Sequence, residues 1–382
     1  MTSKEAVMGN PFKIILSDTH IGAGRPEAGN VLEDFISDAE FLQLMRDLVR
    51  ESDTNQSPVE LIINGDFAEM LQVPASAEYD PLKRYRTRYY EDSSEVGAIS
   101  KIRHIIQGHP GVFTGLAEFI HLGPPRRFIT FTKGNHDPEQ YWPGWQQVVR
   151  EAIGATGDKA ELLTFEPVCI NREGLYIEHG NQYLGRLDSF ENFETPLEPN
   201  DPALVAHPLG SQFGVRIVNE IERDRFWVDS IYPPTAMVWY LLRWDFMFAS
   251  RALATLLAAG IDVVAHKLPA LGPGGTDAER LRDQLRDESQ LEEWAARYEE
   301  DPEFRAAFNQ RLQDSLELVE AVEPGPAAAG PSLLGQSDPQ KMGDAIIDGA
   351  VRTLREVAQD KAHETGARIV SFGHTHVAEE VP

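Results

Sequence analysis

Histidine, carboxylate and amide side chains gather in five short blocks of this chain: Asp18-Thr19-His20, Gly65-Asp66, Gly134-Asn135-His136-Asp137, His179-Gly180 and Gly373-His374-Thr375-His376. Imidazole nitrogens, carboxylate oxygens and an amide oxygen are the donors that borderline-hard divalent cations take. A single Asp-x-His says little, because so short a motif arises often by chance. Five blocks in order are different. Burying this many polar groups with no metal to pair them is expensive. Metal ligation is the chemistry to which the residue types point, and a donor set of this size suits two ions.

The elements that must position these blocks are legible around them. Five apolar runs, Phe12–Leu16, Val59–Asn64, Phe128–Thr132, Leu175–Glu178 and Arg368–Phe372, each end directly at a block. Short apolar runs that stop at glycine or a polar cluster are expected to be buried strands, here delivering side chains to one crevice. Helical spacing over Leu32–Arg50 predicts a crossover between the first two strands. Residues 71–122 read as a mostly helical excursion and 143–154 as a short helix. The expected organisation is a core over 1–180, a helical insertion over 181–340 with Gly/Pro-rich tracts at 271–276 and 323–340, and a return to the core over 341–382. Within the insertion, Asp301-Pro302 is an N-cap and first-turn pair, and Gly366 suits the end of the last helix.

Composition narrows the class. The chain has 382 residues, 42% of them hydrophobic, and a formal net charge of -26. A field of that sign repels polyphosphate backbones, so nucleic acid is a disfavoured partner, although a local basic patch can override it. Cys169 is the only cysteine, which excludes an intrachain disulfide and fits a reducing, cytoplasmic compartment. Residues 235–265 are strongly apolar, but Arg243, Asp245 and Arg251 interrupt them. A span needs about 20 mostly apolar residues, so a buried helix pair or a peripheral membrane contact is expected there instead.

In their order the blocks resemble the calcineurin-like metallophosphoesterase superfamily, whose motifs run D-x-H, G-D, G-N-H-D/E, H and G-H-x-H. The resemblance covers residues 18 to 376 apart from the insertion. It implies an α/β fold, a sandwich of two mixed β-sheets flanked by helices, with a dimetal site at the strand ends. Asp18, His20 and His376 would hold one ion, Asn135, His179 and His374 the other, and Asp66 would bridge them. The two ions would share a hydroxide that attacks a phosphodiester or pyrophosphate bond in line. His136 would stand at the leaving-group oxygen and donate a proton there, with Asp137 orienting it. Manganese suits carboxylate, imidazole and amide donors, with zinc and iron as alternatives. The remaining histidines, His104, His109, His121, His207, His266 and His363, are expected to be structural or at the surface, and the Pro-rich loop around His207 could fold over the site.

The substrate is less constrained. Residues 65–71 read GDFAEML where phosphoprotein phosphatases of this superfamily carry G-D-x-x-D-R-G. The G-D-F-x-E pattern and the insertion are similar to UDP-2,3-diacylglucosamine diphosphatases, and this favours a lipid-linked substrate. The aromatic residues Phe226, Trp227, Trp239, Tyr240, Trp244, Phe246 and Phe248 would either form the core of the insertion or cap acyl chains. Lys83, Arg84, Arg86 and Arg88 form a basic run suited to a phosphate headgroup or to an anionic surface. A nuclease, a soluble nucleotide phosphodiesterase and a non-catalytic scaffold of the same fold stay open as alternatives. In relatives, further strands follow G-H-x-H. Because only residues 377–382 follow His376 here, a longer product or a completing segment is expected.

Overall fold

The computed structural model describes residues 12–24, 29–121, 123–184, 188–225, 241–250, 253–254, 277–320, 339–376 and 380. The chain is α/β. Four strands, β1 (Phe12–Leu16), β2 (Val59–Asn64), β3 (Arg127–Thr132) and β4 (Leu163–Glu166), form one sheet in the order β1-β2-β3-β4. Every pair in it is parallel, so this sheet is not mixed. A second sheet has the order β5-β6-β9, made by β5 (Cys169–Arg172), β6 (Leu175–Glu178) and β9 (Ile369–Ser371). Its β5–β6 pair is antiparallel and its β6–β9 pair parallel. A short antiparallel ribbon joins β7 (Leu197–Glu198) to β8 (Asp201–Val205).

All six residues of β2 are buried, and the alternation of side chains along a strand divides them between two layers. Leu61 and Ile63 belong to a cluster with Met45 of α1 (Asp38–Asn55), with Ile102 of the helix Glu95–Gly108, and with Leu116 of the helix Pro110–His121. Ile62 packs the other way, with Ile15 of β1, against Ile170, Ile177 and Leu175 of the second sheet. One face of the parallel sheet therefore carries helices and the other meets the second sheet. An ionic cluster adds to that second contact. The Glu60 carboxylate of β2 receives Arg172 of β5, the Thr130 hydroxyl of β3 at 2.7 Å and the Lys13 ammonium of β1 at 3.3 Å.

Helix α1 begins six residues later than the apolar spacing suggests, at Asp38 rather than Leu32. The reason is Glu33, which has no exposed surface and takes backbone N–H groups from Gly22, Gly24 and Phe35. Residues 32–36 are thereby drawn into a turn that closes the loop after β1. Over 71–86 the expected helix is likewise absent. Tyr85 ties that stretch into turns, its hydroxyl donating to the Glu78 carbonyl and accepting from the Asp80 N–H.

Two compact units divide the chain, Met1–Val215 with Thr353–Pro382, and Arg216–Arg352. In the second, the helices Asp277–Gln284, Glu288–Glu300 and Pro302–Glu320 bury Leu281, Leu291 and Leu312 completely. Asp301 caps the last of them, accepting the Phe304 N–H at 3.0 Å. Phe246 packs at a tilt against Tyr298 and Phe308 in this unit's own core, whereas Trp244 is 74% exposed. Phe226, Trp227, Trp239 and Tyr240, both Gly/Pro-rich tracts except Pro339 and Gln340, and all of the tail after His376 except Glu380 lie outside the described residues. Among the described residues no helix is long and apolar enough to cross a membrane.

Candidate metal centre

Three of the five blocks leave their strands through an unusual backbone. Asp18, His20, Asp66, His374 and His376 all have positive φ, between 43° and 72°. Only two other described non-glycine residues, Gln56 and Glu173, do so. Such conformations cost about 1–3 kcal/mol each and persist where the surroundings over-determine them. Here the surroundings are one another's blocks. The His20 N–H donates to the Asp66 carbonyl, the Asp18 N–H to the Gly65 carbonyl, and the His374 N–H to Asp18 Oδ1 at 2.8 Å. Two glycines are required by this closeness. A Cβ on Gly134 would lie 1.9 Å from Asp66 Oδ1, and one on Gly65, itself at φ 77°, would lie 2.4 Å from His179 Nδ1.

The seven expected ligands come together. Asp18, His20 and His376 present one donor atom each within 4.8 Å of one another, and so do Asp66, His179 and His374. Asn135 joins the second group, its Oδ1 lying 3.2 Å from His179 Nε2. Asp66 Oδ2 stands 3.0 Å from His179 Nε2 and 3.7 Å from His20 Nε2, so one oxygen faces both groups. His20 Nε2 is 3.2 Å from His376 Nε2, which in turn lies 3.6 Å from Asp18 Oδ1. Spacings of 3.0–3.7 Å match donors about 2.0–2.2 Å from a common ion. The outer nitrogen of His179 is also committed: its Nδ1 faces the Asn64 carbonyl at 3.1 Å, leaving Nε2 to the centre.

Charge is concentrated accordingly. Burial opposes ionisation of Asp66, yet His179, His136 and His20 hold its carboxyl well below the usual range. Burial lowers the His179 imidazole, but Asp66 outweighs it and the net pKa rises to about 9. His376 is lowered, first by burial and then by the neighbouring His20.

Two roles differ from those expected. Asp137 does not support His136. Its Oδ1 accepts from Gly134 N at 2.7 Å, and its Oδ2 accepts from Phe67 N, Ala68 N and Gln140 Nε2. It clamps the loop after β2 to the loop after β3. Burial, then Asp66, raise its pKa to about 6. The carboxylate that does face His136 is Glu69, whose Oε2 lies 2.6 Å from His136 Nδ1 and 2.8 Å from His20 Nδ1. Those are hydrogen-bond distances, too short for an ion between the groups, so Glu69 orients both rings and leaves His20 Nε2 turned to Asp66 and His376. Burial would raise the Glu69 carboxyl, but His136 brings it down to about 2, while Glu69 and Asp66 overcome burial to bring His136 up to about 10. In the sequence the available signal was a carboxylate three residues beyond Asp66. Asp188 is a second unanticipated group, its Oδ2 3.5 Å from His374 Nε2.

The basic run behaves as surface. Lys83, Arg84, Arg86 and Arg88 are exposed, with the Lys83 ammonium over the Tyr85 ring and the Arg88 guanidinium over Tyr89. Of the other histidines, His104 and His121 face the Ser76 and Ile153 carbonyls, and His109 faces Asp38 and Glu33. His266 lies outside the described residues. His207 pairs with Glu139, three residues past His136. Neither a family model, nor a curated protein, nor a solved structure matches this chain.

Proposed function

We propose that this chain is a dimetal-dependent phosphoesterase of the calcineurin-like type, built on a two-sheet sandwich, that hydrolyses a phosphodiester or pyrophosphate bond. The observation that carries the reading is the single oxygen of Asp66 facing both donor groups, with Asp18, His20 and His376 on one side and Asn135, His179 and His374 on the other. The apolar layer of Ile15, Ile62, Ile170 and Ile177 between the sheets supports the sandwich.

Two divalent ions, manganese by donor type, supply Lewis acidity and activated water when bound. The chain's own residues do the rest. Asp66 gives a fixed negative charge between the two groups. Glu69 faces His136 Nδ1 at 2.6 Å, a hydrogen bond that fixes the ring, and its charge favours the protonated form. His136 Nε2 then holds a proton for the oxygen that leaves phosphorus. Asp137 keeps the two loops in register beneath it. The exposed Arg84, Arg86 and Arg88 offer guanidinium groups to a phosphorylated or lipid-linked substrate.

The test is hydrolysis by Mn²⁺-loaded protein of a panel of lipid diphosphates, nucleotide diphosphates, cyclic nucleotides, phosphomonoesters and single-stranded DNA. Products are read by mass, with His136→Ala as the blank. Cleavage lost in the blank is expected. Cleavage of lipid diphosphates alone places the substrate in a membrane-derived class, and cleavage of DNA alone makes the protein a nuclease. A protein that binds two ions and cleaves nothing is a scaffold.

A further inference from the structure

We propose that the Glu139–His207 pair, with Ser211, is the latch that positions the Asn135 loop for its ion, which makes Glu139, His207 and Ser211 positioning residues; the proposal rests on the dimetal reading above.

The loop after β3 carries Asn135 and His136 and runs into a single 3₁₀ turn, Pro138–Tyr141. Glu139 in that turn has no exposed surface. A buried carboxylate is costly unless paired, and the partner here comes from 68 residues away: His207 Nε2 lies 3.0 Å from Glu139 Oε1. One turn further along the same segment, the buried Ser211 hydroxyl donates to the Asn135 carbonyl at 3.2 Å. The segment thus grips the loop on both sides of His136.

The grip is itself anchored. Gln212 Nε2 donates to the His207 carbonyl at 2.9 Å. At the end of β8, Val205 N and O both bond the Ser93 hydroxyl, and the Ser93 carbonyl accepts the indole N–H of Trp142, just past the 3₁₀ turn. From the other side the fully buried Lys101 ammonium donates to the Tyr90 carbonyl at 2.6 Å and attracts Glu139, Asp92 and Glu69. Glu139 is therefore held between a cation of the helix Glu95–Gly108 and the imidazole of His207. Two atoms of the pair, Glu139 Oε2 and His207 Nδ1, are buried without a hydrogen-bond partner. The amide oxygen of Asn135 is a neutral donor, so its contribution depends on orientation.

The experiment is calorimetric titration of Mn²⁺ into the 382-residue chain, comparing wild type with Ser211→Ala, His207→Leu and His207→Gln, each checked by circular dichroism. Wild type is expected to take two ions. Ser211→Ala and His207→Leu should keep one affinity and weaken the other by about tenfold or more, the scale of losing an outer-sphere partner. His207→Gln, whose amide N–H still reaches Glu139, should recover most of that loss. Two unchanged affinities in Ser211→Ala and His207→Leu overturn the latch. Should His207→Leu fail to fold, unchanged affinities in Ser211→Ala alone overturn it. Equal loss at both ions also overturns it, since that is general destabilisation. A wild type that takes fewer than two ions overturns the dimetal reading itself, and the latch with it.

Discussion

His179 has no exposed surface and Asp66 only 1%, whereas His376 keeps 54% of its side chain exposed and His20 18%. The donors on the two sides of Asp66 are thus chemically alike but mounted differently. His179, at the end of β6, packs on Gly65 and is oriented by a backbone carbonyl inside the protein. Asp18, His20 and His376 stand on loops in the left-handed region, and side chains such as Glu69 and Glu33 steady those loops. The buried half is preorganised by packing, while the more open half is held by hydrogen bonds to the buried carboxylates Glu33 and Glu69. Under the proposed dimetal reading, the open half is where substrate and solvent would enter.

The comparison can be broken at its hinge. Asp66→Ala removes the oxygen that serves both halves and should reduce turnover at least about 10⁴-fold, the scale of losing one member of a catalytic unit. Calorimetry should show fewer than two ions; retention of both at full affinity would deny Asp66 its shared position. Next in size is Glu69→Gln, which removes the charge between His20 and His136. It should lower kcat by on the order of 10²-fold with KM little changed, and an unchanged kcat would return Glu69 to a structural role.

Smaller effects sharpen the contrast between the halves. His179→Gln should weaken Mn²⁺ binding by on the order of 100-fold and His376→Gln by about tenfold, spanning the range for disturbed metal shells. Equal losses would show that burial does not distinguish the halves. Smallest is His109→Gln, which tests how the loop of Asp18 and His20 is steadied. Burial lowers the His109 imidazole, but Glu33 and Asp38 raise it further, so its folded-state pKa lies above the ordinary value. The stability from this charge is full below about 6.5 and is lost as pH rises through the raised value. Urea unfolding of metal-free protein should show a loss of about 1–2 kcal/mol at pH 6 that shrinks by pH 9. A loss independent of pH would mean that His109 acts by shape alone.

What the sequence reveals here depends on how local the signal is. The five strands that end at ligand blocks announce themselves, because an apolar run followed by glycine or a polar cluster is contained within a few residues. β4 and β5 carry no such signal: LTFE and CINR mix polar with apolar residues, and neither runs into a ligand block. The late start of α1 depends on Glu33 reaching back to Gly22 and Gly24, a contact that apolar periodicity does not record. Asp137 and Glu69 exchange their expected parts for the same reason. Adjacency in GNHD suggests that Asp137 serves His136, yet the fold turns Asp137 toward Phe67 and Ala68 and brings Glu69 in from the preceding loop.

The Asp18 carboxylate accepts the backbone N–H of a residue 356 positions later. During synthesis the earlier blocks exist long before β9 and its two histidines, so the cluster is closed by a latecomer pairing beside β6. The entropy of closing a flexible loop grows only with the logarithm of its length. Replacing a 12-residue crossover between β6 and β9 by one of about 190 residues adds roughly 2–3 kcal/mol at most. A whole helical unit can therefore be threaded into this connection at little thermodynamic penalty. The burden falls on timing instead: β1 to β6 bring their carboxylates and imidazoles close together before β9 is available to complete the cluster.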